Sequence, residues 1–336
     1  MQGQALIEMA GILRPAAIRA AATLGVADHI AAGTTSAAEL AAAVGADPDA
    51  LLRLLRYLAA AGLFDRAGDD TFTLTGLGEP LRRDVPGSVA AFLDSDGVIG
   101  RAELGMVDLL DTLRTGRSSH ASVFGVDFWT DVQHDPRYAP SLEFVLGDGI
   151  AWDADIVVDA YPWERVRHVT DVGGGNGALL IELLRAHAHL RGRLVDLPNS
   201  VSIARGRIAA AGLADRCEAA VASFFDELPG GSDVYVLSAV LADWTDEQAA
   251  AILRRVADAA GPQGRVLLAE VSLHPVGGAA ADLASTGADL HVAATVTAPV
   301  RGADEVKAIA AAAGLRPTWE GPATAARSLI EFAVRP

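Results

Sequence analysis

The chain has 336 residues, of which 51% are hydrophobic, and it carries a formal net charge of −16 at neutral pH. These values allow two domains with a large core, exclude a mainly disordered chain, and argue against nucleic acid or an anionic membrane surface as a partner. Because the only cysteine is Cys217 and neither a membrane-length apolar run nor a secretory leader is visible, we expect a cytoplasmic protein without disulfides or a metal site.

Residues 1–87 predict a helical domain that ends in a β-hairpin. Ser36 and Glu39 have the spacing of a capping box, and Asp47 precedes a helix that starts with proline. A turn at 68–70 separates two short β-prone runs. Helices followed by a hairpin are typical of a winged helix, used for dimerisation or for DNA binding. Seven arginines against ten acidic residues favour dimerisation, because DNA phosphates require a basic face.

Residues 88–165 predict connecting helices that contribute to a substrate pocket, with Trp129 and Trp152 as candidate ligand contacts. From 166 to 336 strand-like and helix-like segments alternate. This alternation predicts an α/β fold with a doubly wound parallel sheet. The late segments "ADEVKAIAAAAG" and "RSLIEFAVR" predict a last helix and a closing strand.

The segment "DVGGGNG" at 171–177 lies between a predicted strand and a predicted helix. Gly173 and Gly175 permit a tight turn and the close approach of a ligand. Asp196 ends the next predicted strand, where a carboxylate can bond to ribose hydroxyls. The ligand could be NAD or S-adenosylmethionine. Asp171 favours S-adenosylmethionine, because a carboxylate suits a cationic amino-acid moiety better than a pyrophosphate.

The segment "LSAVLADWTDEQ" at 237–248 predicts the end of a fourth strand and the start of a helix. Thr245 and Gln248 have capping-box spacing. Ala242, Asp243 and Trp244 therefore fall at the carboxyl edge of the sheet, where ligands bind in this type of fold.

The order of these motifs resembles the class I small-molecule O-methyltransferases of the caffeate and acetylserotonin type. The likeness is greatest to actinobacterial antibiotic-pathway members, such as naphthoate and anthracycline O-methyltransferases. It covers nearly the whole chain, through "LLRLLRYLAAAGLF", "DVGGGNG", "DLP", "SFFDELP", "DVYVLSAVLADWTDE" and "GRVLLAEV". The resemblance implies a Rossmann-like methyltransferase domain after a winged-helix dimerisation domain, and a homodimer. It also implies S-adenosyl-L-methionine as cofactor, S-adenosyl-L-homocysteine as product, and methylation of a hydroxyl on an aromatic or polyketide-like small molecule of secondary metabolism.

The resemblance also implies the residues of the site. The expected cofactor-binding residues are Gly173, Gly175, Asp196, Leu197, Ser223, Phe224, Ser238 and Trp244. The expected substrate-pocket residues are Trp129, Leu146, Asp148, Gly149, Trp152, Val292 and Thr295. Ser223 departs from the acid that many members carry, and Ser238 departs from the lysine of plant members.

One departure concerns the catalytic group. The usual "LHDW" of the family reads "LADW" here, so Ala242 replaces the histidine that takes the proton from the acceptor hydroxyl. Asp243 is retained. Glu270 matches an acid near the substrate site, and Glu305 matches the acid that orients the missing histidine. We therefore treat Asp243, Glu270 and Glu305 as candidate catalytic residues, together with His291 on the helix expected to line the pocket.

The missing histidine leaves several mechanisms open. Positioning alone can supply about 7–11 kcal/mol, whereas a general base typically adds about 10²–10⁴-fold, so an acidic phenol needs no base. Asp243 can act as a base only if burial raises its pKa. In the turn before the last helix Val300 replaces an acid and Arg301 is retained.

Other reactions also remain open: N- or C-methylation, or decarboxylation, hydroxylation or cyclisation with bound cofactor. A non-catalytic partner subunit and a winged-helix regulator are further alternatives. The histidines without a surrounding motif are expected at the surface: His120, His134, His187 and His189.

Overall fold

The computed structural model describes residues 2–138, 141–142, 154–271, 286–287, 290–296, 298–299, 301–323 and 327–335. The chain divides into two compact units, Met1–Arg101 and Ala102–Pro336. The division lies inside the region that the sequence assigns to connecting helices. In the described ranges no helix is long and apolar enough to span a membrane.

The first unit consists of helices followed by a short antiparallel hairpin. Its elements are α1 (Gln2–Met9), α2 (Leu13–Leu24), α3 (Val26–Ala31), α4 (Ala37–Val44), α5 (Pro48–Ala60), β1 (Phe64–Arg66), β2 (Phe72–Leu74) and α6 (Ala90–Leu93). Ser36 Oγ accepts the Glu39 N–H at 3.2 Å, and Asp47 Oδ1 accepts the Ala50 N–H at 2.9 Å. These side chains satisfy free N–H groups at the starts of α4 and α5, so both predicted N-caps are confirmed. At α4 the Glu39 carboxylate accepts the Ser36 hydroxyl at 2.9 Å, so only the N-cap half of the expected capping box is present.

The second unit is a seven-stranded sheet, in the part described, with helices on both faces. Helix α7 (Val98–Gly105) contains the division between the two units. The later helices are α8 (Leu109–Thr115), α9 (Ser119–Phe124), α10 (Phe128–His134), α11 (Ala154–Ala160), α12 (Ala178–Ala186), α13 (Pro198–Ala210), α14 (Asp246–Ala260) and α15 (Ala303–Ala312). The strands of the sheet are β3 (His168–Val172), β4 (Arg191–Asp196), β5 (Cys217–Val221), β6 (Val234–Ser238), β7 (Arg265–Val271), β8 (Leu315–Ala323) and β9 (Arg327–Val334).

The strand order is β5-β4-β3-β6-β7-β9-β8. Strands β3 to β7 pair in parallel, as predicted, and β9 pairs antiparallel with both β7 and β8. The chain runs outward from β3 to β5 and then returns to β6 on the other side of β3. Ligands bind at such a reversal of strand order, outside the carboxyl ends of the strands.

The end of the sheet differs from the sequence prediction in one respect. The closing strand β9 is second from the edge, because β8, which was not predicted, covers it. Pro317 and Pro322 lie within β8 and hide the strand pattern in the sequence. Proline is tolerated there because an edge strand leaves one row of backbone N–H groups without a strand partner.

The core packs on both faces of the sheet. One hydrophobic cluster, on one face of the sheet, contains Trp163, Leu180 and Leu184. The other, on the opposite face, contains Ile252 and Val256 of α14 and Phe332 of β9. Most of these side chains are fully buried. The rigid sheet holds the carboxyl ends of β3, β4 and β6 in fixed positions, where the chemistry-bearing residues lie.

Candidate active site

A cavity of about 800 Å³ lies at the carboxyl ends of β3, β4 and β6. All eight residues that the sequence assigns to the cofactor line it. Asp243 and Trp129, assigned to catalysis and to the substrate, line it as well. The volume is within the range of pockets that enclose a cofactor or drug-sized ligand.

The glycine loop between β3 and α12 forms one wall of the cavity. Gly173 has φ +72°, and a Cβ added there would lie 2.9 Å from Val240 Cγ2 and 3.4 Å from Phe224 Cε1. A Cβ on Gly174 would lie 2.8 Å from Asp171 Oδ2. Only glycine meets both the backbone conformation and the close approach, so the loop brings bare backbone to the cavity.

Asp196 ends β4 and braces this loop. Its Oδ2 accepts the Gly175 N–H at 2.8 Å, and its Oδ1 accepts the Leu197 N–H at 2.6 Å. Burial raises the pKa of Asp196, and the two backbone N–H groups oppose that shift. The Ser200 side chain is a third donor to this carboxylate. Because a carboxylate can accept about four hydrogen bonds, Asp196 can accept a further one from a hydroxyl in the cavity.

Two further acids line the cavity in a largely apolar setting. Burial raises the pKa of Asp171 to about 7, with the charge of Asp196 adding to the effect and Arg327 opposing it. Both carboxyl oxygens of Asp171 are buried and accept no hydrogen bond from the described residues. Acids outnumber bases among the described lining residues, so the cavity favours a cationic ligand.

Asp243 is the second of these acids. Burial raises its pKa to about 7, and the nearby charge of Glu270 adds to the shift. The part of its side chain that remains accessible opens into the cavity, and its carboxyl group makes no hydrogen bond to the described residues. Asp243 therefore combines access to a ligand with a proton affinity suited to acid–base chemistry near neutral pH.

Asp243 is presented by a tight turn after β6. Ala239 has φ +54°, the one positive φ found for a non-glycine residue in the described ranges, and a 3-10 turn follows at Leu241–Asp243. Glu270 Oε1 accepts the N–H groups of Leu241 at 3.0 Å and Val240 at 3.3 Å. Such a strained and tightly bonded turn is typical of a functional site. Glu270 itself is buried and is not among the residues that line the cavity.

The remaining predicted catalytic residues lie elsewhere. Glu305 is exposed, and its Oε2 accepts the Gly302 N–H at 2.5 Å at the start of α15, so it caps that helix. His291 is half-buried, and burial lowers its pKa while Glu103 opposes the shift. Neither residue lines the cavity. A role of Glu305 or His291 in catalysis stays a prediction.

The predicted substrate residues are only partly placed. Val292 is half-buried and Thr295 is buried, in a helical stretch at 290–295, and neither lines the cavity. The Thr295 carbonyl oxygen accepts the Ser118 hydroxyl at 2.6 Å. Four others lie outside the described residues: Leu146, Asp148, Gly149 and Trp152.

The expectation that His120 lies at the surface is wrong. Its side chain is fully buried, with Nε2 3.0 Å from Asp131 Oδ2. It packs against Phe124 and Phe128, which are contributed by α9 and α10. No motif in the sequence marks this burial, because the aromatic partners come from two separate short helices.

The comparisons with known proteins agree with this geometry. Residues 8–83 match the O-methyltransferase dimerisation domain, and residues 106–316 match the O-methyltransferase domain. The chain is 43% identical to a 2,7-dihydroxy-5-methyl-1-naphthoate 7-O-methyltransferase of Streptomyces carzinostaticus, over 91% of each chain. It is 40% identical to aclacinomycin 10-hydroxylase RdmB of Streptomyces purpurascens, over 92% of this chain and 83% of that one.

A solved structure is equally similar. It is an O-methyltransferase from neocarzinostatin biosynthesis in complex with S-adenosyl-L-homocysteine and 1,4-dihydroxy-2-naphthoic acid, with a TM-score of 0.87, 41% identity and 98% coverage of both chains. The chain belongs to the O-methyltransferase family.

Several lining residues of this O-methyltransferase were not predicted. Asp127 caps α10, its Oδ1 accepting the Thr130 N–H at 2.9 Å, and both residues line the cavity beside Trp129. The N-cap spacing of Asp127 could have indicated this helix start. Arg327 also lines the cavity, at the start of β9, and its Nη1 donates to the Ala269 carbonyl oxygen at 2.9 Å. A basic residue at the start of a buried strand was the available signal for Arg327.

Proposed function

We propose that this chain transfers the methyl group of S-adenosyl-L-methionine to a hydroxyl of an aromatic or polyketide-like small molecule. The observation that carries the proposal is the cavity itself. Its lining brings together, at one edge of the sheet, the glycine loop, the carboxylate at the end of β4 and two buried acids. The aromatic rings of Trp129, Phe224 and Trp244 line it as well. The names of the similar proteins, which include naphthoate and other O-methyltransferases, support the same reaction class.

The residues of the cavity fit this cofactor. Gly173 and Gly174 line the cavity without a side chain, so a ligand can approach their backbone closely. Asp196 can accept a further hydrogen bond from a ribose hydroxyl, and the rings of Phe224 and Trp244 offer apolar contact for the adenine. The buried, unbonded carboxyl of Asp171 suits the cationic amino-acid part. When bound, S-adenosyl-L-methionine supplies an electrophilic methyl group.

We infer that Asp243 accepts the proton of the acceptor hydroxyl in place of the missing histidine. Ala242 has no proton acceptor, whereas the Asp243 carboxyl opens into the cavity and has a pKa of about 7. Glu270 is less suited, because its Oε1 is held by the backbone N–H groups of Val240 and Leu241. A base with a pKa near the working pH contributes about 10²–10⁴-fold to the rate, and positioning of the acceptor in the cavity supplies the rest.

We also propose a cytoplasmic homodimer. The match of residues 8–83 to the dimerisation domain supports the dimer, as do apolar side chains that α1 and its surroundings expose, namely Leu6, Ile7, Met9 and Ile12. The thiol of Cys217 is free and buried, which agrees with a reducing compartment.

The test is label transfer to a set of aromatic acceptors. Purified protein would be incubated with methyl-labelled S-adenosyl-L-methionine and hydroxynaphthoates, hydroxyanthraquinones and their O-methylated analogues as blocked controls. We expect label in products of the free phenols and none with the blocked analogues. Asp243→Asn should slow transfer, whereas Asp258→Asn, a change of an exposed acid on α14, should not. The relative named as a hydroxylase motivates the alternative: acceptor that is consumed without gaining label would favour a non-methylating reaction.

A further inference from the structure

Arg301 does not line the cavity, but it bonds to the turn that does. The side chain is buried, with 6% of its surface exposed. Its Nη1 donates to the Leu241 carbonyl oxygen at 2.8 Å, and its Nη2 donates to the Trp244 carbonyl oxygen. Its Nε donates to Asp246 Oδ1 at 2.7 Å. One guanidinium thus joins both ends of the turn to the first residue of α14.

The opposite side of the same turn is held by Glu270. Its Oε1 accepts the N–H groups of Val240 and Leu241, so a buried anion binds the N–H groups while the buried cation of Arg301 binds the C=O groups. Between these anchors stand Asp243 and Trp244, both of which line the cavity. Neither Arg301 nor Glu270 contacts the cavity directly, so their common effect is on the position of the turn.

The planar fork of arginine is suited to this arrangement. Its donors point in fixed directions and can reach two carbonyl oxygens and a carboxylate at once, whereas lysine offers a single compact ammonium group. Loss of Arg301 would leave the carbonyl oxygens of Leu241 and Trp244 without this donor in a buried place. Water could then enter and the turn could shift.

We propose that Arg301 is a positioning residue, which holds Asp243 and Trp244 at the cavity wall and thereby fixes where the proton of the acceptor is taken. The inference rests on the proposed function and goes beyond it by naming the group that sets the geometry of the base. Two consequences distinguish it from a general structural role. A displaced Asp243 gains water, so its pKa falls, and a misplacement of about 1 Å costs on the order of 10²-fold in rate.

The experiment compares Arg301→Met and Arg301→Lys with Arg216→Met as a matched control. Arg216, like Arg301, donates three hydrogen bonds, here to the carbonyl oxygens of Leu184, Ala188 and Leu190, and it lies outside the cavity. The measurements are kcat and KM across pH with a methylated product as readout, calorimetric affinity for S-adenosyl-L-homocysteine, and the free energy of unfolding across pH.

For Arg301→Met we expect kcat to fall by roughly 10–100-fold, with the acid limb of the kcat profile moved to lower pH. The affinity for S-adenosyl-L-homocysteine should fall by a smaller factor than kcat, because the glycine loop and Asp196 are untouched and only the contact of Trp244 with the cofactor is displaced. The contribution of Asp243 to the pH dependence of the free energy of unfolding should become smaller. Arg301→Lys should recover part of the rate, and Arg216→Met should lower stability without moving the acid limb.

The inference is overturned if Arg301→Met lowers kcat by the same factor at every pH and leaves the acid limb in place. The acid limb of Arg216→Met should likewise stay in place. If Arg301→Met does not fold, the result for Arg301→Lys decides. An acid limb that lies at lower pH than in the wild type supports the inference, and a kcat and an acid limb equal to those of the wild type overturn it. A wild-type protein that transfers no methyl group would overturn the proposed function instead. An active wild type with an unaffected Arg301→Met overturns the positioning role alone.

Discussion

Replacing Asp243 with asparagine should make the protein more stable at alkaline pH while it slows methyl transfer. Burial, with the charge of Glu270, raises the pKa of Asp243 from 3.8 to about 7. This difference in pKa corresponds to a cost of about 4 kcal/mol for ionising the side chain in the folded protein. Asparagine has nearly the same shape and no charge, so it removes both that cost and the proton acceptor.

The direction of the pH dependence follows from proton binding. A folded-state pKa above the unfolded value means that the folded protein holds the proton more tightly. The stabilisation is therefore complete below pH 3.8 and is lost as the pH rises to about 7. Asparagine has no such proton to lose. From about pH 5 to about pH 8, the free energy of unfolding of Asp243→Asn should gain about 2–3 kcal/mol relative to the wild type.

The assay is denaturant unfolding of the wild type, Asp243→Asn and Asp258→Asn at both pH values, with kcat measured on the same samples. Asp258 lies on the exposed face of α14 and controls for the change from carboxylate to amide. We expect kcat of Asp243→Asn to fall by about 10²-fold or more. If the free energies of unfolding of Asp243→Asn and the wild type differ by the same amount at both pH values, the raised pKa of a buried Asp243 is refuted.

Three other substitutions test separate parts of the site. Gly173→Ala places a Cβ 2.9 Å from Val240 Cγ2 at a φ of +72°, so it should destabilise the protein by about 1–3 kcal/mol and weaken cofactor binding, measured by thermal unfolding and calorimetry. An unchanged affinity would remove the loop from the cofactor site. Asp196→Asn should weaken S-adenosyl-L-homocysteine binding by roughly 10–100-fold in the same calorimetric assay, because it removes a charged acceptor; full affinity would contradict the ribose contact. Ala242→His should retain methyl transfer, since Asp243 remains, and complete inactivity would show that this position must stay small.

Much of the fold could be predicted because its signals are local. The capping spacing of Thr245 and Gln248 is present as a capping box at the start of α14, and the glycine loop lies between β3 and α12. The carboxylate at the end of β4 also lies where the strand pattern places it. Strand β8 was missed, because two prolines obscure a strand that is stable only as an edge partner of β9.

The site could be predicted only where a motif marks it. The residues of "DVGGGNG", "DLP" and "LADW" meet at one cavity because parallel strands end at the same edge. Arg327 and Arg301 bind partners that are distant in the chain, so no local sequence spacing predicts these contacts. The same holds for His120, whose burial depends on partners in two helices. Long-range packing of this kind is decided by the tertiary structure.

The most direct test of the proposed reaction is the stoichiometry of turnover. With ¹³C-methyl S-adenosyl-L-methionine and a phenolic acceptor, S-adenosyl-L-homocysteine and product would be quantified together, and the labelled carbon located by NMR. We predict one S-adenosyl-L-homocysteine for each product molecule, with the ¹³C bound to oxygen. Product that forms without S-adenosyl-L-homocysteine, or label on nitrogen or carbon, would contradict O-methyl transfer by this chain.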